Sequence, residues 1–415
     1  MLSARNFSLA CFFLLLTALC FSPAPALAAD SPRLPKVVAS ATEGMIILPS
    51  GAVIVFAKSN DYGELGQGSI GKPPSAELGI PLPGVTGAVD GAVGGGSFLL
   101  LLADGTVMAW GKNNTEQLAL GINPKSGDDP SPVPHPTRVP FLAHVRQLAI
   151  ADNGTFAFAL LEDGTVRAWG SAFNGQLGLG TSIPKTPDAR GGTRVLKPQP
   201  IPGLAGVKSI AAGSDFALAL LENGTIKAWG RNKYGEVGDE EISNSPVPVT
   251  VPGIDSAVAI SAGDDYALAL LRDGTVRVWG SGTNDSAYFA GARSPSIHKD
   301  SNYPWTAKPV AIPALRNVVA ISAGATALAL LADGTVRMWG YNGFGSMGLG
   351  NRTEYVPTLK TARVPPVAAI STGFNRSYFI LRDGSVLVAG SQLIGEANLY
   401  LVPKPLLKKE PAQNP

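Results

Sequence analysis

The stretch Leu160-Leu161-Glu162-Asp163-Gly164-Thr165-Val166-Arg167-Ala168-Trp169-Gly170 decides how this chain is read. It returns at Leu101–Gly111, Leu220–Gly230, Leu270–Gly280 and Leu330–Gly340, with weaker copies at Leu48–Ala57 and Ile380–Gly390. The glycine of its turn falls at 51, 105, 164, 224, 274, 334 and 384, at intervals of 54, 59, 60, 50, 60 and 50 residues. Near-constant spacing over seven copies marks a repeat architecture, whose stacked units share one continuous core. A repeat overrides the domain count that 415 residues would otherwise suggest.

Within a copy the signals are those of strands. In the fourth, Val207–Ala211 is apolar and ends near Gly213, Phe216–Leu221 follows, then Asn223-Gly224, then Thr225–Gly230. Two apolar runs joined by Asn-Gly or Asp-Gly predict a hairpin, with a type I′ turn as the simplest geometry. The Thr-Val-Arg-Ala-Trp arm alternates, as a half-buried strand does. The Leu-Ala-Leu arm is apolar on both faces, as a strand between packed sheets is. A looser Gly-x-Leu-Gly-x-Gly segment comes next, at Gly63–Gly68, Gly175–Gly180 and, as Gly-Ser-Met-Gly-Leu-Gly, Gly345–Gly350. Proline-rich runs such as Pro246–Pro252 predict an outer edge strand. Four antiparallel strands per unit predict an all-β, seven-bladed β-propeller rather than an open solenoid. Arg33–Ala39 is similar to Arg363–Ala369, and Leu401–Leu406 reads as another outer strand, so the two ends are expected to share one blade and zip the ring shut.

The run Leu-x-x-Asp-Gly-x-Val-x-x-Trp-Gly followed by Gly-Gln-Leu-Gly-x-Gly resembles the regulator of chromosome condensation family of repeats. The resemblance covers residues 33–407 and implies a seven-bladed β-propeller. The family's usual histidine before the second strand is replaced here by Gly44, Ser97, Phe156, Phe216, Tyr266, Thr326 and Arg376. That departure implies a divergent, bacterial-type branch.

Gly 49 and Pro 34 make about a fifth of the chain, yet the hydrophobic fraction is 45% and both residues fall at repeat positions, so disorder is the wrong reading. A net charge of +2 with no basic stripe excludes a nucleic-acid groove. Arg5, the apolar run Leu9–Phe21 and Ala26-Leu27-Ala28 describe a secretory signal peptide over residues 1–28. The apolar run is short for an uncleaved anchor, and Leu19 is bulky for lipid attachment at Cys20. The mature chain is then a propeller over 29–407 with a polar tail at 408–415. It carries neither Cys11 nor Cys20, has no membrane span, and is expected to be secreted, periplasmic or bound to the cell envelope.

Conspicuous chemistry is scarce. Trp110, Trp169, Trp229, Trp279 and Trp339 could absorb ultraviolet light, as in a plant photoreceptor whose repeats resemble these. Their recurrence at one place per unit predicts instead packing between blades, with the next glycine leaving room. His135, His144 and His298 have neither metal-ligand nor triad spacing, and Asp128-Asp129 and Asp264-Asp265 lack the period of a calcium loop. Gly94-Gly95-Gly96 lacks the lysine and helix of a phosphate cradle. No metal, cofactor or catalytic set is expected.

Function is sought in the departures from the repeat. Residues 112–138 lose the glycine turn, and residues 281–309 carry Tyr288, Phe289, Tyr303 and Trp305, aromatics suited to a protein interface. Asp215, Asp264, Asp265, Asn375 and Arg376 lie near equivalent turns and could line one face. The expectation is an exported propeller that binds a protein partner, through face loops or insertions, with no covalent step. Alternatives are a secreted enzyme inhibitor resembling propellers that block β-lactamases, and a channel enzyme or carbohydrate-binding protein. Guanine-nucleotide exchange is disfavoured by the signal segment.

Overall fold

The computed structural model describes residues 34–71, 79–121, 132–181, 186–187, 193–282, 288–299, 304–391 and 399–407. The signal segment, the tail and Tyr303 lie outside the described residues. Seven sheets follow one another along the chain, each of four antiparallel strands, here a to d in chain order. In blade 4 they are Val207–Ala212, Phe216–Leu221, Ile226–Arg231 and Asn244–Thr250. Blade 3 adds a two-residue strand, Thr186–Pro187, to its outer edge. The a strands of successive blades touch all round the ring, so a is the axial strand and the proline-bearing d strand the outer one. This is the seven-bladed propeller that the repeat predicts.

The Leu-Ala-Leu arm is strand b, buried along almost its whole length. Its two faces differ in size. Phe158 and Leu160 of blade 3 pack with Ala217, Ala219 and Trp229 of blade 4. Leu218 and Leu220 of blade 4 pack in turn with Ala267, Ala269 and Trp279 of blade 5. Large side chains of one blade thus meet alanines and a tryptophan of the next, which fills each wedge without overcrowding.

The repeated tryptophan joins blades by a hydrogen bond as well as by packing. The indole Nε1 of Trp110, Trp169, Trp229 and Trp279 donates to the backbone carbonyl of Glu64, Gln117, Gln176 and Glu236 in the preceding blade, at 2.8–3.0 Å. These acceptors occupy the position of the x in Gly-x-Leu-Gly, which blade 2 replaces by Glu116-Gln117-Leu118-Ala119 and blade 4 by Gly235-Glu236-Val237-Gly238. Contrary to the expectation from sequence, the glycine after the tryptophan does not make room for the ring. Gly230 has φ +99°, and a Cβ there would lie 2.5 Å from the Asp215 carbonyl oxygen in the a–b turn. Room for the indole comes from the glycine that closes the preceding blade's motif: a Cβ on Gly178 would lie 2.9 Å from Trp229 Nε1.

Two further expectations are corrected. The b–c turn is not type I′, because only its glycine has positive φ, as at Gly224 with +85°. It is a three-residue loop closed by Gly224 N to Leu221 O at 3.0 Å and Leu221 N to Thr225 O at 2.9 Å, with glycine as the left-handed third residue. Asn223 Oδ1 accepts from both Thr225 N and Thr225 Oγ1, which holds the asparagine out of the left-handed region. The ring, moreover, closes without strand sharing. Lys36–Ala39 is the a strand of blade 1, and Leu399–Leu407 is the d strand of blade 7. The similarity of Arg33–Ala39 to Arg363–Ala369 is that of two a strands with their lead-ins, not of two halves of one blade. Side chains seal the junction: Val37, Ile46 and Phe56 pack with Tyr378, Ile380 and Val388. A Cβ on Gly373 would overlap the Ser40 carbonyl oxygen.

Candidate functional site

One end of the propeller gathers the a–b turns and the c–d segments. In each of blades 2 to 7 the backbone N–H after the Trp-Gly position donates to the a–b turn, as Arg231 N does to Asp215 O at 2.9 Å and Ser281 N to Asp265 O at 2.8 Å. Those turns surround an axial cavity of about 120 Å³ to which all seven blades contribute, with Asp152 and Asp264 its ionisable lining. A wider recess of about 500 Å³ opens beside it and shares Asp152, Asp264 and Phe374, adding Glu43, Glu64 and Tyr62.

The carboxyls here fall into two sectors. At blades 4 and 5, Arg231 of strand c is hydrogen-bonded to Asp265 and lies 3.5 Å from Glu236 Oε1 and 3.9 Å from Asp215 Oδ2. Beside them Ser214 ties Asp264, with Oγ to Oδ1 and N to O both at 3.2 Å. In the other sector Glu43 accepts from Gly96 N at 2.6 Å, and Glu64 accepts from Ser59 Oγ at 3.1 Å and Tyr62 N at 2.9 Å. Asp152 takes neither a hydrogen bond nor an ion pair among the described residues. Burial pushes its carboxyl up to about 7, and the neighbouring charges of Asp264 and Glu43 push the same way. Burial also raises Asp264, Asp215 and Glu64, and takes Glu236 to about 7.

The c–d segments hold their shape through an oxygen. Glu64, Gln117, Gln176 and Glu236 each fold a side-chain oxygen back onto the backbone N–H two residues earlier, at 2.7–2.9 Å. Aromatic rings stand on the same segments. Tyr62 is 40% exposed and Phe173 75% exposed, and lysine ammonium groups lie over Tyr62 and Tyr234 at 5.1 and 5.0 Å.

Of the residues singled out from sequence, Asp215, Asp264 and Asp265 come together at this end. Asn375 lies on the blade 7 a–b turn, half-buried. Arg376 is fully buried, its Nε donating to Ser391 O at 2.8 Å, so it supports the turn from beneath. Of the insertion's aromatics that are described, Tyr288 and Phe289 fold inward rather than forming an exposed patch. Phe289 is wholly buried, and Tyr288 stacks on Tyr266 with centroids 4.1 Å apart while its carbonyl accepts from Trp339 Nε1 at 3.0 Å. Tyr288 thus stands where Glu236 stands in blade 4. Trp305 is half-buried and stacks on His298 at 4.1 Å. Sequence reading missed Glu43, Glu64, Asp152, Arg231 and Glu236. Their signal in the sequence is variation at fixed repeat positions, not a segment that breaks the repeat. No cluster that could hold a metal ion occurs among the described residues.

The models of the regulator of chromosome condensation (RCC1) repeat match residues 104–158, 163–220 and 223–270, and a second model of the same repeat matches 207–236 and 257–285. The chain is 34% identical over 162 residues to the fission yeast (Schizosaccharomyces pombe) protein pim1, across 37% of this chain and 30% of that protein's length. It is 25% identical over 383 residues to the ultraviolet-B receptor UVR8 of Arabidopsis thaliana, across 89% of this chain and 79% of the receptor. The crystal structure of Kap60 bound to yeast RCC1 (Prp20) contains a chain of the same fold, with TM-score 0.66, 21% identity and coverage of 88% and 81%.

Proposed function

This chain is an RCC1-like seven-bladed propeller, matched by the repeat models within residues 104–285, and on that premise we propose that it works as an exported, bacterial-type binding module. It holds a protein partner, without a covalent step, on the carboxylate-lined end of its channel. The carrying observation is the contrast between a scaffold that repeats and an end that does not. Strands b and c are nearly interchangeable between blades, whereas the a–b turns carry Asp152-Asn153, Ser214-Asp215, Asp264-Asp265, Gly324-Ala325 and Phe374-Asn375. Turns that differ on a rigid frame suit recognition of an irregular surface. Export rests on residues 1–28, and N-terminal sequencing of secreted or envelope protein should find a terminus near residue 29.

The test is capture of a partner from medium and envelope by three forms of the chain. A rim variant, Tyr62→Ala with Phe173→Ala and Phe374→Ala, should lose a partner that wild type retains. Val319→Ala, at the opposite end among the b–c turns, should keep it. Equal capture by all three would refute this end as the interface. A second reading, chemistry at the mouth, draws on the Asp152 and Glu236 carboxyls near neutrality, where general acid–base groups work. A turnover abolished by Asp152→Asn would favour it.

A further inference from the structure

We infer that the partner segment received at this end is cationic, with a lysine or arginine side chain entering the axial cavity between Asp152 and Asp264. The inference rests on the reading of this end as the binding end. The protein already shows the arrangement on one side. Arg231 serves Asp265, Glu236 and Asp215 together, as an internal cation for three carboxyls. At the equivalent places blade 1 has Lys58, blade 2 Lys112 and blade 3 Ser171. Neither lysine makes an ion pair with Glu43, Glu64 or Asp152 among the described residues, so no cation is seated on this sector's carboxyls as Arg231 is on the other.

Asp152 is the second, independent sign. It is largely enclosed, faces the cavity, and has no hydrogen-bond or ion-pair partner among the described residues. A carboxylate kept in such a place is costly unless something cationic completes it. The cavity, at about 120 Å³, offers about four water-sized volumes, the scale of an extended lysine side chain. The rim suits the rest of such a segment. Exposed Tyr62 and Phe173 present ring faces, and Lys112 and Lys233 already use Tyr62 and Tyr234 in that way. A metal ion fits less well, because the described residues hold no cluster of metal-ligand geometry.

The experiment is fluorescence anisotropy of the full chain with two labelled peptides of one Gly/Ser background, bearing either lysine and arginine or glutamate. The cationic peptide should bind, more weakly as salt rises. Asp152→Asn combined with Asp264→Asn should cut its affinity about tenfold or more. Asp163→Asn, on a b–c turn at the other end, should leave it unchanged. The thermal midpoint of Asp152→Asn should not fall, since the substitution removes a buried charge, and this separates lost binding from lost folding. Unchanged affinity in the double variant, or equal binding of the glutamate peptide, would overturn the inference. So would saturable binding of calcium alone that disappears in the same variant. If the peptide fails while the rim substitutions still abolish partner capture, only the cationic character of the partner is wrong. If both fail, the binding end itself is wrong.

Discussion

Three carboxyls, Asp152, Glu116 and Glu236, are pushed up to about 7 by burial. An acid whose folded value lies above its unfolded one binds more protons in the folded state through the interval between the two. Its contribution to stability is fully present below the unfolded value and is lost as pH rises through the folded one. The thermal midpoint should therefore drop between about pH 5 and about pH 8. The drop should shrink with each of Asp152→Asn, Glu116→Gln and Glu236→Gln, and a profile that is flat in wild type would contradict it. The exposed Asp104, Asp163, Asp273 and Asp333 act in the opposite sense. Hydrogen bonds from the threonine two residues on lower them, so their contribution fades only below the ordinary aspartate range, outside that window. None of the raised groups could be told from these in the sequence. Asp152 and Asp163 are both aspartates in turns, and only tertiary packing puts one at the axis and the other in water.

Strand c owes its place to a partner in another blade. In Trp229→Phe the ring's bulk is mostly kept, but the Gln176 carbonyl loses its donor in a buried position. Chemical denaturation should show a loss of about 1–3 kcal/mol, the cost of an unsatisfied buried group. An unchanged midpoint would mean that packing alone holds the junction. Strands and hairpins were readable because their signals are local: alternation in Val166–Trp169, an apolar run in Phe216–Leu221, a glycine at the turn. The junction was half readable. Recurrence showed that the tryptophan packs between blades, but the carbonyl it meets lies 43 to 53 residues away and contributes no side chain to the bond. Tyr288 and Phe289 misled for a related reason. An aromatic in a segment that has lost the repeat motif looks unpartnered until the neighbouring blade, with Tyr266 and Trp339, is brought against it.

Around the ring, six junctions are crossed by the chain from a d strand to the next a strand, and the seventh is not. Among the described residues, blades 7 and 1 meet through side chains such as Val37, Phe56 and Tyr378 and through the close approach of Gly373 to the Ser40 carbonyl. Local opening should begin there, because no covalent connection limits the separation of the two edges. Hydrogen exchange should find lower protection in Lys36–Ala39 and Arg376–Leu381 than in Phe216–Leu221, whereas uniform protection would show a junction as tight as the rest. The expectation of a shared closing blade failed because similar a strands look alike wherever they stand in the ring. The c–d segments carry a different consequence. Glutamate and glutamine supply the same folding-back oxygen at residues 64, 117, 176 and 236, and the tryptophans bond to the backbone of those residues rather than to their side chains. Exchanging one for the other leaves the frame its contacts and alters the charge that the mouth can carry. Selection could therefore retune this protein's preference for a partner in single-atom steps, oxygen for nitrogen, blade by blade.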